Sequence, residues 1–202
     1  MKYFLDCETT GKNPYFDQVI TLYMQREDGI ELYIESQVDI WNDDATKVHG
    51  ISYTDMLTFP SKKQAWDSIV NFLGDDTDIE LIVYANPQTQ LGWLLFDVVL
   101  FKYGLMNHLG LERENHLKWN ISGYSVHSLA KECHKEGLFE AIKNLDSNRY
   151  SFKQRDVYMA LFGANYDEHE AKADCLAMKR IYNYLMQLKK SNTVQSGQQT
   201  LL

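Results

Sequence analysis

Residues 4–11 read FLDCETTG: an apolar opening, two carboxylates (Asp6 and Glu8) flanking Cys7, then two threonines and a glycine. Unpaired charge is costly inside so apolar a segment, so the pair needs a physical reason. On a strand, successive side chains point to opposite faces, which brings Asp6 and Glu8 together and turns Cys7 away from them. The cysteine is thereby assigned to the core. Two adjacent carboxylates repel, and both stay ionised only with a cation between them; hard oxygen donors of this kind favour magnesium or manganese. A lone Asp-x-Glu is equally a solvated strand end, and the rest of the chain has to decide between the two.

Outward from this stretch, residues 2–6, QVITLYMQ at 18–25 and the alternating GIELYIESQVD at 29–39 read as strands, with Asp28-Gly29 as a tight turn between the last two. SKKQAWDSIVNFLG at 61–74 opens on a serine cap, closes on glycine and carries Ala65, Ile69, Phe72 and Leu73 at helical spacing. IELIVYAN at 79–86 predicts a short buried strand, 91–105 an apolar helix and 117–123 a fifth strand. Helices are predicted near 125–136, 151–162 and 169–189, the last with Ala173, Leu176, Ala177, Ile181, Tyr184, Leu185 and Leu188 as its apolar residues. Strands first, then strands alternating with helices, imply an α/β fold with a mixed sheet covered by helices. Residues 190–202 lose periodicity and are expected to form a flexible tail after a single domain over 1–189.

With 202 residues, 45% of them hydrophobic and 24% charged, the chain is large enough to bury a sizeable core. Its three cysteines, Cys7, Cys133 and Cys175, match neither a disulfide framework nor paired zinc spacing, so reduced thiols in a cytoplasmic protein are expected. The apolar run at the N-terminus is too short for a signal peptide and no later run approaches a membrane span, so no membrane partner is expected. A net charge of −8 argues against an architectural duplex binder. It leaves room for an enzyme whose bound divalent ions reverse the local sign that phosphates meet.

FLDCETTG resembles the first motif of the DEDD 3′–5′ exonucleases, especially the proofreading epsilon subunits of bacterial DNA polymerase III. Three further segments follow in that family's order: ATKVHGIS at 45–52, FDVVLFKYG at 96–104 and HEAKAD at 169–174, the last similar to the third motif of the histidine-containing branch. The resemblance implies an RNase H-like exonuclease fold, a mixed five-stranded sheet flanked by helices. It also implies that Asp6, Glu8, Asp97 and Asp174 bind two Mg²⁺ or Mn²⁺ ions and that His169 is the catalytic base. Four converging carboxylates are electrostatically intolerable without such ions, and two ions about 3.5–4 Å apart clamp the attacking and leaving oxygens of a phosphodiester displacement. His169 and Asp174 lie about 140° apart on a continuous helix, so the histidine is expected on the loop entering the last helix with the aspartate inside it. A neutral histidine there takes the proton of a metal-bound water near neutral pH.

The second motif departs from the pattern: YAN at 84–86 is followed by PQTQLGWLL before Asp97 arrives. Asp97 stays the candidate because no other aspartate lies between Glu80 and Asp146. Thr9 and Thr10 would, by resemblance, meet the terminal nucleotide. His49 either lines the nucleotide pocket or builds a turn; His127 is given no chemistry. Residues 143–156 interleave Lys143, Arg149, Lys153 and Arg155 with Tyr150 and Phe152, a composition for a single strand or for a solvated face. At the C-terminus, Gln198, Leu201 and Leu202 are either a plain end or a peptide for a sliding clamp or DNA polymerase, which would raise the effective concentration of an acidic enzyme on its substrate.

The expected activity is a metal-dependent 3′–5′ exonuclease releasing nucleoside monophosphates from single-stranded DNA 3′ ends, in proofreading or repair. Two alternatives stand beside it. One is a 3′–5′ exoribonuclease similar to oligoribonuclease or ribonuclease T, separated by contacts to the 2′-hydroxyl; the KVHGI stretch favours DNA. The other is an inactive exonuclease fold that serves as a binding module for a polymerase or clamp.

Overall fold

A computed structural model describes residues 1–13, 16–85 and 119–199, the last five by their backbone alone. Five strands, β1 (Lys2–Thr9), β2 (Val19–Arg26), β3 (Glu31–Glu35), β4 (Asp78–Val83) and β5 (Asn120–Ser125), form one mixed sheet. Its order is β3-β2-β1-β4-β5. The first three strands run antiparallel and β1, β4 and β5 run parallel. The predicted N-terminal meander is therefore present. Its turn is built as expected: Gly29 has φ 96, a conformation open to glycine, and its N–H donates to the Arg26 carbonyl at 3.0 Å.

The strand pleat sorts the core into two layers. Tyr3, Leu5, Leu22, Met24, Ile79, Leu81 and Val83 face α3 (Lys62–Leu73), which packs Ala65, Trp66, Ile69 and Leu73 against them. Ser61 caps α3 reciprocally with Gln64, and Gly74 follows its last turn. On the opposite face Phe4, Tyr23 and Ile82 pack against α4 (Val126–Lys135), α5 (Gln154–Phe162) and α6 (Ala171–Gln199). Central parallel strands are buried on both faces, which explains the apolar run Leu81, Ile82 and Val83 that ends β4.

Several details differ from the sequence expectation. β1 continues through Thr9, and β3 is confined to Glu31–Glu35. Two short helices between β3 and α3, α1 (Asp43–His49) and α2 (Tyr53–Met56), were not expected, although Asn42 and Ser52 cap them by side-chain hydrogen bonds. A hairpin of β6 (Lys143–Asn144) and β7 (Arg149–Tyr150) precedes α5, which starts at Gln154 rather than 151. On α6, Leu176 and Tyr184 face outward, and Cys175, Met178 and Tyr182 occupy the buried stripe instead. The helix also runs on through Gln199, ten residues into the expected tail. Loss of apolar period there reports exposure, not loss of helix: Ser191 and Thr193 bond back to the Gln187 and Lys189 carbonyls, and residues 191–194 are exposed.

The helix predicted over 91–105 lies outside the described residues, as do Asp97, Leu201, Leu202 and the side chain of Gln198. Among the described residues no helix is long and apolar enough to cross a membrane.

Candidate active site

The C-terminal half of β1 carries the first two candidate ligands. β1 registers with β4 only over Lys2–Phe4, whereas its pairing with β2 continues through Asp6↔Tyr23 and Glu8↔Thr21. Asp6 and Glu8 thus share the face of Phe4, and Cys7 packs with Tyr3 and Leu5 on the other layer. A register shift between Glu8 and Thr9 then turns the chain into the following loop.

Asp174 reaches the same point from the first turn of α6. Glu170 caps that helix by accepting from the N–H groups of Lys172 and Ala173, at 3.2 and 2.8 Å. One carboxylate oxygen from each of Asp6, Glu8 and Asp174 lies within 4.8 Å of the others. Three carboxylates at that separation repel strongly, and their hard oxygens fit a divalent cation such as magnesium or manganese.

Burial raises the pKa of Asp174 from its ordinary carboxylate value. Two donors pull it back toward the ionised form, Tyr166 Oη to Oδ1 at 2.8 Å and the His169 N–H to Oδ2 at 2.7 Å, and Gln154 Nε2 also donates to Oδ1 at 3.3 Å. Burial, reinforced by the neighbouring Asp174 charge, drives the Tyr166 phenol well above its ordinary range, so it stays a donor. His169 sits two residues before α6, exposed and at φ 66, a left-handed backbone uncommon for any residue but glycine. The loop position expected for the histidine is where it lies.

A cavity of about 840 Å³ opens beside Asp174 and His169. Tyr84, His127, Lys131, Tyr150, Phe152 and Lys153 contribute to its wall. Four of the residues that the sequence singled out in 143–156 therefore line it (Tyr150, Phe152, Lys153 and Arg155), and Lys143 and Arg149 do not. Arg155 is engaged by Glu168 at 3.0 Å and Asp156 at 3.5 Å. His127 is only 8% exposed and lies edge-on to Tyr84 and Phe152; burial, with Lys131 adding to it, depresses its pKa to about 4.

Other sequence candidates lie in the supporting structure. Thr10 is 0% exposed; its hydroxyl accepts from the Gln18 N–H at 2.9 Å and donates to Asp17 at 3.3 Å, so the side chain builds the loop after β1. Thr9 Oγ1 donates to the Gly11 carbonyl at 2.5 Å. His49 ends α1, accepts from the Ile51 N–H at 3.1 Å and stands edge-on to Trp41. Tyr84, His127, Lys131, Gln154 and Tyr166 were not foreseen, and none belongs to a local pattern that points to the carboxylates.

No protein-family model matches the chain, and no curated protein matches it. Solved structures do. E. coli exonuclease I in complex with a dT13 oligonucleotide superposes with a TM-score of 0.70 at 16% identity, over 92% of this chain and 40% of that one. The fold is that of the RNase H-like exonucleases. A product-bound structure of exonuclease I gives 0.70 at 18% identity, over 94% of this chain and 43% of that one. The zinc-bound E. coli exonuclease I complex with single-stranded DNA gives 0.65 at 14% identity, over 92% and 42%. The chain thus spans about two fifths of the length of the exonuclease I chains it matches.

Proposed function

We propose that the protein is a metal-dependent 3′–5′ exonuclease that removes nucleoside monophosphates from single-stranded DNA ends. The reading rests on one observation: ligand oxygens of Asp6, Glu8 and Asp174 gather within 4.8 Å of one another on an exonuclease fold. Asp97 is proposed as the fourth ligand. Two bound Mg²⁺ or Mn²⁺ ions would neutralise the phosphate charge and acidify the attacking water. His169 would accept a proton from water as the water oxygen bonds to phosphorus; the bond from phosphorus to the 3′ oxygen of the penultimate nucleotide would break, and that oxygen would take a proton from solvent. Lys131 and Lys153 supply positive charge in the cavity wall, and Tyr150 and Phe152 supply rings for bases, the combination that binds a single strand without reading its sequence. The single-stranded oligonucleotides bound by exonuclease I favour DNA over RNA as substrate. Gln198, Leu201 and Leu202 are proposed as a peptide for a sliding clamp or polymerase, on sequence grounds; deleting 198–202 should abolish co-elution with the clamp.

The test is release of label from 3′-labelled DNA and RNA oligonucleotides with magnesium, with manganese or with chelator. Metal-dependent release from DNA, lost in Asp6→Ala, is expected. Absence of metal-dependent release from either polymer, or undiminished release by Asp6→Ala, overturns the reading.

A further inference from the structure

Asp174 is gripped from three directions by groups that are not themselves candidate ligands. Tyr166 donates to Oδ1 at 2.8 Å, and Gln154 reaches from the first turn of α5 to both Oδ1, at 3.3 Å, and the Asp174 main-chain carbonyl, at 2.7 Å. The remaining oxygen, Oδ2, accepts the His169 N–H at 2.7 Å. Tyr166 is in turn seated: its ring lies edge-on to Tyr158 at 5.0 Å, and the Tyr158 hydroxyl accepts from Arg180 at 2.6 Å, one helix turn and a half further along α6. A brace therefore runs from α6 through α5 and back to the first turn of α6.

We propose that Tyr166 and Gln154 are positioning residues: they fix the Asp174 carboxylate for cation binding and, through its second oxygen, hold the left-handed backbone of His169. The inference rests on the exonuclease reading above and names the residues that set its geometry. A carboxylate free to rotate would lose both functions together, because its two oxygens move as one rigid group and one of them is tied to the His169 N–H. Partners that hydrogen-bond a metal-ligating side chain commonly change metal affinity by about 10–100-fold.

The experiment is a calorimetric titration of the full chain with MnCl₂, for the wild type, Tyr166→Phe, Gln154→Leu and the double variant, beside the melting temperature of each without metal. Tyr166→Phe keeps the ring on Tyr158 and removes only the donor. Expected are metal-free melting within a few degrees of wild type and manganese affinity weakened about tenfold or more in the double variant. Turnover of the p-nitrophenyl ester of thymidine 5′-monophosphate at saturating manganese should also fall, because the Asp174 carboxylate that accepts the His169 N–H is no longer fixed. Manganese affinity within twofold of wild type in the double variant overturns the positioning role alone. A wild type that binds no manganese overturns the exonuclease reading with it.

Discussion

The side chain of Asp17 fills the space that a Cβ on Gly11 would need: such an atom would lie 2.5 Å from Asp17 Oδ2 and 2.7 Å from its Cγ. The same carboxylate accepts the Asn13 N–H at 2.6 Å and the Thr10 hydroxyl at 3.3 Å. Gly11→Ala must therefore displace Asp17 and loosen the loop that follows the β1 carboxylates. The expected outcome is a destabilisation of about 1–3 kcal/mol in urea melts, with a raised half-saturating concentration of manganese in the hydrolysis assay.

Asp6→Asn removes one of three mutually repelling charges. The metal-free protein should melt at or above the wild-type temperature, because like-charge repulsion is relieved. Added manganese should raise the melting temperature of the wild type, as any ligand of the native state does, and leave Asp6→Asn unmoved. Thermal scans with added manganese and with chelator in excess over it read this difference directly.

His127 makes stability depend on pH with a definite sign. Its pKa falls from 6.5 to about 4 on folding. The unfolded chain therefore binds the extra proton between those values. The contribution of His127 is fully present above pH 6.5 and is lost as the pH drops toward 4, by as much as about 3 kcal/mol. His127→Phe should flatten the stability profile in that window, measured by urea denaturation at pH 7, 5.5 and 4.5 against wild type.

Ile69 is 0% exposed between α3 and the sheet, whereas Leu145, at the tip of the β6–β7 hairpin, is 95% exposed. Ile69→Ala should cost about 2–5 kcal/mol. Leu145→Ala should stay within about 0.5 kcal/mol of wild type. Equal effects of the two would contradict the layer assignment of α3.

Much of this architecture is written in local pattern. The pleat alone separates Cys7 from Asp6 and Glu8, and capping chemistry at Ser61 and Gly74 bounds α3 to within a residue. Periodicity fails where exposure, not conformation, changes: residues 191–194 of α6 are exposed, and the helix continues through Gln199. It fails again at Leu176 and Tyr184, where an apolar residue type misreports its face and the buried places go to Cys175 and Met178. The meeting of Asp174 with Asp6 and Glu8 was legible only because separate motifs pointed to it. The grip of Tyr166 and Gln154 on Asp174 was not legible at all, since it joins residues 8 and 20 positions apart by side-chain hydrogen bonds that leave no period in the sequence.

Asp174 shares its helix with Cys175, Met178, Ile181 and Leu185, all at 0% exposure in the layer beneath the sheet, and Asp6 shares its strand with Tyr3 and Leu5, equally buried. Amide protons in these buried stretches should accordingly be released only by opening of the whole domain. Cation binding at such a place cannot be a local event. Protection gained at β1 and at the start of α6 should equal the gain in global stability, amide for amide, so that hydrogen exchange would read the occupancy of the site from the far side of the core.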